Sequence, residues 1–301
     1  MSITHLEQML EAVKSKPRKR LAAAFANDAH TIEAVNDAVQ RGIVEATLVG
    51  DEPTIREKCR ELGIDPERFV IVHEPVDSTA AARAVALVRS GECQILMKGL
   101  VSTDKYMRAI LNKDTGLLAP GAILSHVSVV EHARYPKLIV CGDVAVLPYP
   151  DLKEKIAITT YCIAVAQALG IAKPKVAVIA ATEQVLPKVQ ATVDAAILAK
   201  MAERGQIKGA FVDGPMALDV AIDPEAAATK GVGGEVAGDA DCLVFPNIDA
   251  GNVFYKTSSK LCGCEMAAMV AGAQAPCILS SRGDSVLTKL YSITLAALTA
   301  K

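Results

Sequence analysis

Residues 95–104 read Ile-Leu-Met-Lys-Gly-Leu-Val-Ser-Thr-Asp, an apolar run of strand length that ends in a cation and a glycine and continues into hydroxyl-bearing and acidic residues. This order predicts a strand, a short turn and the N-terminus of a helix. Lys98 then lies at the carboxyl end of the strand, where a parallel sheet presents charge to its ligands. The structural alternative is a lysine on the surface.

The candidate residues continue into the predicted helix. Ser102 and Thr103 stand at its start, and Arg108 follows Asp104 by four residues, within the first turns. An exposed Asp104–Arg108 helix pair is the structural alternative for this arginine. We take Lys98, Ser102, Thr103 and Arg108 as candidate residues for binding a polyanionic substrate.

The rest of the chain repeats this alternation of short apolar runs and longer helical stretches, which is typical of βαβ units. Strands are predicted at Arg20–Ala26, Glu45–Gly50, Phe69–His73, Gln94–Met97, Lys137–Val146, Lys175–Ala181, Gly209–Asp213, Asp241–Phe245 and Pro276–Ser281. Helices are predicted at Thr31–Arg41, Thr54–Leu62, Ser78–Arg89, Asp151–Leu169, Val189–Arg204 and Val286–Leu298. Crossovers of this kind imply right-handed connections and mostly parallel sheets. The predicted fold class is therefore α/β.

Length and composition favour two α/β domains. Of the 301 residues, 51% are hydrophobic but only 4% are aromatic and none is Trp, so the core must be built from Ala, Val, Ile and Leu. Such a core suits buried parallel strands covered by alanine-rich helices. Pro136 interrupts the chain before a strong strand, and the last strand and helix could return to the first half. We therefore predict one domain at 1–136 plus 279–301 and another at 137–278.

Charge and targeting signals exclude several kinds of partner. The chain has 32 basic and 34 acidic residues, which leaves no global field to attract nucleic acid or an anionic membrane. The N-terminus lacks the cationic and apolar segments of a signal peptide, and no apolar run reaches the roughly 18 residues of a membrane span. Eight scattered cysteines lack the spacing of a disulfide framework. We expect a cytoplasmic protein with reduced thiols and no nucleic-acid or membrane partner.

A second strand end carries the sharpest pattern for binding an anion. Residues 278–285 read Ile-Leu-Ser-Ser-Arg-Gly-Asp-Ser and open the predicted helix Val286–Leu298. The amides and the positive end of a helix at such a junction favour a bound anion. Arg282 adds a planar fork suited to phosphate, and Ser281 adds a hydroxyl donor. The structural alternative is an ordinary helix cap with a solvated arginine.

Two further strand ends carry carboxylates. Asp249 and Asn252 lie at a Gly251-Asn252 turn, where they could orient a substrate or only cap a helix. Asp213 and Asp219 could bind a metal ion, but no neighbouring histidine or third acid completes a ligand set. The sequence therefore predicts no metal site.

Together these segments resemble the phosphate acetyl- and butyryltransferase family. The matching segments keep the family's order and approximate spacing from about Arg20 to the C-terminus, and Met97-Lys98-Gly99, Asn112-Lys113 and residues 285–293 are more similar to the butyryl enzymes. The segments are Leu96-Met97-Lys98-Gly99-Leu100-Val101-Ser102-Thr103, Leu111-Asn112-Lys113-Asp114-Thr115-Gly116-Leu117, Leu124-Ser125-His126-Val127, Gly214-Pro215-Met216-Ala217-Leu218-Asp219, Pro246-Asn247-Ile248-Asp249-Ala250-Gly251-Asn252 and Ser281-Arg282.

The resemblance implies a fold and an activity. The implied fold has two α/β domains with the active site in the cleft between them, and it also resembles isopropylmalate dehydrogenases. The implied reaction joins acyl-CoA and phosphate to give acyl phosphate and free coenzyme A, with butyryl or another short chain as the acyl group. Coenzyme A is then a substrate and no cofactor is required. Because no cysteine sits in a recognisably activated setting, direct transfer within a ternary complex is expected.

The resemblance also assigns residues. Ser281 and Arg282 match the family's serine and phosphate-binding arginine, and Arg108 matches an arginine of the acetyl enzymes that contacts coenzyme A. Where the acetyl enzymes carry an aspartate proposed to deprotonate the coenzyme A thiol, this chain has Thr288, so no general base is assigned. We also expect a homo-oligomer. The alternatives are a metal- and NAD-dependent dehydrogenase of the related fold and a noncatalytic module that binds coenzyme A or acyl phosphate.

Overall fold

The computed structural model describes residues 2–279 and 284–301. The chain forms two compact units, and the main boundaries between them fall at residues 124/125 and 266/267. The terminal unit comprises Glu7–Leu124 and Ala267–Lys301, and the central unit comprises Ser125–Met266 with the N-terminal residues up to Leu6. The domain boundaries expected at 136/137 and 278/279 stay a prediction.

The terminal unit is built around parallel strands. Their order is β3-β2-β1-β4-β11-β10, and only the β10–β11 pair is antiparallel among its described strands. The strands are β1 (Lys19–Ala24), β2 (Val44–Gly50), β3 (Val70–His73), β4 (Ile95–Lys98), β10 (Glu265–Ala271), which begins two residues before the unit boundary, and β11 (Cys277–Ile278).

Helices connect these strands and cover them. They are α1 (Leu6–Ala12), which begins at the unit boundary, α2 (Ala29–Gln40), α3 (Glu52–Glu61), α4 (Asp77–Arg89), α5 (Thr103–Leu111) and α11 (Val286–Thr299). Two helices that follow strands begin at an aspartate, because the carboxylates of Asp28 and Asp51 accept the amides of Thr31 and Thr54. Each parallel strand thus ends where the next helix begins, and polar groups collect at that edge.

The central unit has the same layered design. Its strands lie in the order β5-β6-β9-β7-β8, with an antiparallel β5–β6 pair and parallel pairs elsewhere. The strands are β5 (Ser125–Glu131), β6 (Ile139–Gly142), β7 (Lys175–Ile179), β8 (Phe211–Met216) and β9 (Cys242–Val244). The helices are α6 (Leu152–Ala168), α7 (Gln190–Glu203), α8 (Leu218–Ile222), α9 (Pro224–Thr229) and α10 (Ile248–Lys256).

The α/β class with mostly parallel strands is confirmed, and two strands were missed. The sequence analysis placed no strand at Ser125–Glu131 or at Glu265–Ala271, which are β5 and β10. It also placed the start of α10 at a Gly251-Asn252 turn, whereas α10 begins at Ile248 after the N-cap Asn247. Within residues 2–279 and 284–301, no helix combines the length and apolarity needed to cross a lipid bilayer.

Candidate functional site

Three strands of the terminal unit end side by side. Ala24 of β1 lies opposite Lys98 of β4, and Met97 of β4 lies opposite Ile278 of β11. Because all three strands run in the same direction, Lys98 stands at their shared carboxyl edge, between the ends of its two neighbours. This is the position in an open parallel sheet where ligands bind.

The backbone segments after β1 and β4 approach so closely at this edge that the position of Gly99 has no room for a side chain. The amide of Gly99 donates to Ala24 O at 2.9 Å, and the amide of Leu100 donates to Phe25 O at 2.9 Å. A Cβ atom on Gly99 would lie 2.5 Å from Phe25 O and 2.8 Å from Ala24 O, so only glycine fits. Phe25 itself has a φ of 58°, a left-handed conformation that is rare for a bulky residue and that turns the chain sharply at the end of β1.

Lys98 is buried, and the surface-lysine alternative is therefore wrong. Its residue exposure is 5%, and Nζ donates to Gly99 O at 3.2 Å. Removing an ammonium group from water is costly unless polar or anionic groups surround it. A cation held in this way at a ligand-binding edge is suited to an anionic group of a substrate.

Helix α5 carries the other candidates of this segment. Ser102 is its N-cap, with Oγ accepting the amide of Lys105 at 3.4 Å, and Thr103 is its first residue. Arg108 forms the expected helix pair, with Nε 3.1 Å from Asp104 Oδ1, but its side chain is 78% exposed. Such an exposed pair contributes little to stability, so the guanidinium can exchange Asp104 for a stronger anion.

Tyr106 joins α5 to the end of β11. The side chain is fully buried, and its hydroxyl donates to Ile278 O at 3.1 Å. Burial raises the pKa of this phenol well above its usual value, so the hydroxyl remains a donor. Tyr106 thereby fixes the last residue of β11, just before the segment that contains Ser281 and Arg282.

Replacing Tyr106 with Phe should lower the free energy of unfolding by about 0.5–1.5 kcal/mol, because the buried carbonyl of Ile278 loses its hydroxyl donor. Urea unfolding followed by circular dichroism measures this. Tyr149→Phe is the matched control, because Tyr149 is 76% exposed and its hydroxyl is 3.5 Å from Asp249 Oδ2. Equal stability of Tyr106→Phe and wild type would show that the Tyr106 hydroxyl does not hold β11.

The predicted anion site at the last helix is described only in part. Ser281 and Arg282 lie outside the described residues, so their assignment stays a proposal. The following residues form a regular helix start: Ser285 is the N-cap of α11, and its Oγ accepts the amide of Thr288 at 3.0 Å. The helix N-terminus predicted at Val286 is therefore present, and the parallel neighbour of β11 is the strand that bears Lys98.

The sequence analysis did not identify a buried carboxylate of the central unit, which directly follows β6. Asp143 is 2% exposed, and Oδ2 accepts Ser125 Oγ at 3.0 Å and the amide of His126 at 2.9 Å. Its Oδ1 accepts the amides of Ala145 and Val146 at 2.7 and 2.8 Å. The carboxylate thus ties the start of β5 to the loop after β6. The available signal was its place directly after the apolar run 138–142.

Asp249 and Asn252 lie on one helix. Both belong to α10, not to a turn, and Asn252 Nδ2 donates to Val144 O at 3.1 Å. Asp249 is exposed in the first turn of α10. The amide of Asn252 therefore has a structural partner, while the Asp249 carboxylate faces solvent; their binding of substrate stays a proposal.

The carboxylates considered for a metal are engaged locally. Asp219 Oδ2 lies 3.0 Å from Lys230 Nζ, and this hydrogen bond lowers the pKa of Asp219. Asp213 Oδ1 accepts the amide of Gly214 at 2.8 Å. In the part of the chain that the structure describes, no three His, Cys, Asp or Glu residues are grouped as metal ligands.

Most cysteines are buried and poorly suited to act as nucleophiles. Burial raises the pKa of Cys141 and of Cys277 to about 12. Burial also raises the pKa values of Cys59, Cys93, Cys162, Cys242 and Cys264. A thiol becomes a nucleophile as the thiolate, so these seven sites disfavour a covalent acyl-cysteine intermediate.

Comparison with known proteins gives a consistent result. Residues 4–82 and 71–297 match the family described as "Phosphate acetyl/butaryl transferase". The chain is 47% identical over 298 residues to the phosphate butyryltransferase of Clostridium acetobutylicum, with 99% of both chains covered. It is 41% identical over 292 residues to the phosphate acetyltransferase of Thermotoga maritima, covering 97% of this chain and 98% of the relative. A solved branched-chain phosphotransacylase from Enterococcus faecalis V583 has a TM-score of 0.81 at 29% identity, covering 93% of this chain and 98% of the other.

Proposed function

Because the chain belongs to the phosphate acetyl/butyryltransferase family, as its sequence motifs predicted, we propose that it transfers a short acyl group between coenzyme A and inorganic phosphate. The observation that carries this proposal is the match to curated relatives over nearly the whole length of both chains. It favours acyl transfer over both alternatives, the dehydrogenase and the noncatalytic binding module.

The reaction needs a nucleophile and an electrophile held side by side. A phosphate oxygen attacks the thioester carbonyl, the tetrahedral intermediate collapses, and the carbon–sulfur bond breaks to release the coenzyme A thiolate. Positioning phosphate beside the thioester supplies much of the rate enhancement, and donors at the oxyanion supply more. We propose that Arg282 binds phosphate and that Ser281 donates to the oxyanion.

Anionic groups of coenzyme A require cations elsewhere in the site. We propose that buried Lys98 and exposed Arg108 supply them, with the hydroxyls of Ser102 and Thr103 as further donors. Lys98 ends β4, and the other three residues lie at the N-cap and in the first turns of the helix that follows it. The raised pKa values of the buried cysteines support direct transfer in a ternary complex.

The acyl group is proposed to be butyryl or another short chain. The butyryl relative has the higher identity, 47% against 41% for the acetyl relative. Acyl-CoA and phosphate are then the substrates, and acyl phosphate and free coenzyme A are the products; no cofactor is proposed. A homo-oligomer and a cytoplasmic location stay predictions.

Purified protein should convert a short-chain acyl-CoA and phosphate to acyl phosphate and free thiol without added metal or nucleotide. The test is thiol release over acetyl-, propionyl-, butyryl- and isobutyryl-CoA, with and without phosphate, because only transfer to phosphate makes the release phosphate-dependent. The profile over the panel ranks the acyl chains.

Two controls sharpen this assay. A chelator should leave the rate unchanged, whereas loss of activity that magnesium or manganese restores would revive the metal-dependent alternative. Absence of phosphate-dependent thiol release with every acyl-CoA would refute the proposed activity.

A further inference from the structure

Lys289 is a buried cation that the proposed reaction has not yet used. It is the fourth residue of α11 and is 3% exposed. Its Nζ donates to Asp284 O at 2.7 Å. Among the described residues, none of the ion pairs includes Lys289. A backbone carbonyl is a neutral acceptor, so the buried charge is not neutralised by this contact. An uncompensated buried charge is strongly unfavourable, which indicates that an anion belongs beside it.

The location makes the charge more unusual. Long side chains on a helix point toward its N-terminus, and Lys289 does so, because its ammonium reaches Asp284, which precedes the N-cap Ser285. The N-terminus of a helix is its positive end, where anions are stabilised and cations are not. Two positive elements therefore converge at the start of α11, the helix end and the Lys289 ammonium.

The other end of α11 provides a contrast. Lys16 also donates to a backbone carbonyl of this helix, Leu298 O, at 2.8 Å. That ammonium lies at the negative end of the helix, where a cation is favourable, and Lys16 is exposed. Lys16 needs no further partner, whereas Lys289 at the positive end does.

The first turn of α11 also contains backbone amides without a hydrogen-bond acceptor among the described residues. Ser285 satisfies the amide of Thr288, but the amides of Val286 and Leu287 have no protein acceptor within the described ranges. Unsatisfied amides in the first turn of a helix are suited to bind oxyanions. A compact oxyanion at this helix end would accept from these amides and neutralise the lysine.

We infer that Lys289 is a binding residue for the phosphoryl group, holding inorganic phosphate, and later the acyl phosphate, at the N-terminus of α11. The identity of the anion rests on the proposed function, whereas the need for an anion rests on burial and the helix end. Lys289 makes no covalent bond in this role. Its ammonium offsets the charge of the phosphate oxygens and helps to orient the attacking one.

The test compares Lys289→Met with Lys16→Met and wild type. Methionine keeps an unbranched side chain of similar length and removes the charge. The Michaelis constant for phosphate should rise about ten- to a hundred-fold in Lys289→Met, as expected for loss of a charge-assisted contact. The constant for acyl-CoA should change little, and both constants should be unchanged in Lys16→Met. Lys289→Arg should restore part of the phosphate response.

A second measurement separates binding from structural support. Inorganic phosphate should raise the melting temperature of wild type and of Lys16→Met, and Lys289→Met should need about ten- to a hundred-fold more phosphate for the same rise. Without phosphate, Lys289→Met should melt at or above the wild-type temperature, because an unneutralised buried charge has been removed. A purely structural lysine would give the opposite result, a lower melting temperature with an unchanged response to phosphate.

The outcomes keep the two proposals apart. If wild type releases no thiol but its stabilisation by phosphate depends on Lys289, the proposed reaction fails and the anion site stands. If thiol is released and Lys289→Met keeps the wild-type constant and phosphate response, the anion site is overturned and the reaction stands. Should Lys289→Met not fold, Lys289→Gln, which keeps a donor to Asp284, takes its place. Failure of that variant to fold would make Lys289 structural and overturn the inference.

Discussion

Replacing Lys155 with Met is expected to lower the free energy of unfolding by about 3–5 kcal/mol, the largest loss we predict for one side chain. Lys155 Nζ lies 2.6 Å from Asp194 Oδ2, and the two side chains are only 5% and 4% exposed. Gln190 Nε2 donates to the other oxygen of Asp194 at 2.8 Å. Loss of Lys155 therefore leaves a buried carboxylate with one neutral donor, far less than its charge requires.

Urea unfolding and amide hydrogen exchange of α6 and α7 measure this loss. The matched control is Lys200→Met on the same helix as Asp194. Lys200 pairs with Glu203, but the side chains are 57% and 67% exposed, so the expected change is below about 1 kcal/mol. Lys155→Met combined with Asp194→Leu should recover most of the loss, because no unpaired charge remains. If Lys155→Met alone is as stable as Lys200→Met, the Lys155–Asp194 pair is not buried as described.

Part of the site could be predicted from sequence because ligands of parallel sheets bind at the carboxyl ends of the strands. An apolar run followed by Lys98 and Gly99 places a cation at the edge of a parallel sheet, and the structure puts it there, between β1 and β11. The sequence pattern alone does not indicate that Lys98 is buried. Burial is a tertiary property, and the close approach of Gly99 to Phe25 O beside Lys98 joins segments about 70 residues apart in sequence, which leaves no local pattern.

The two missed strands have different physical causes. β5 begins with Ser125 and His126, polar residues that are not expected in a core from sequence alone. Both are buried because Asp143 accepts the Ser125 hydroxyl and the His126 amide. β10 is rich in Ala and Met, which have little preference for strands, and it is paired with β11 in the sheet. In both cases a tertiary contact outweighs the local preference.

A glycine misled the prediction of α10. Gly251 lies within the helix, and a Cβ atom there would be 2.3 Å from Asp143 O, so this glycine allows close packing and does not mark a turn. Glycine allows close backbone approach as well as turns, and one sequence does not distinguish these uses. Lys289 was overlooked for a similar reason, since a lysine in an apolar helix is ordinarily expected to extend its charge into solvent.

Replacing Arg282 with Gln should raise the Michaelis constant for phosphate and reduce the specificity constant for phosphate about ten- to a hundred-fold. Glutamine keeps some capacity to donate but removes the charge, and a charge-assisted contact is typically worth about 1.5–3 kcal/mol. The constant for acyl-CoA should change much less, because Lys98 and Arg108 are proposed to hold that ligand. Initial rates over both substrates measure the two constants separately.

Arg108→Gln is the matched variant, with the opposite pattern expected: a raised constant for acyl-CoA and a nearly unchanged constant for phosphate. Its fold should be unaffected, since the Arg108 side chain is 78% exposed and its ion pair in the described part of the chain is with Asp104, one helical turn away. Because each variant serves as the control for the other, a general loss of activity cannot be mistaken for loss of one ligand. If folded Arg282→Gln keeps wild-type phosphate kinetics, Arg282 is a solvated residue beside a helix cap, and its assignment to the phosphate site is wrong.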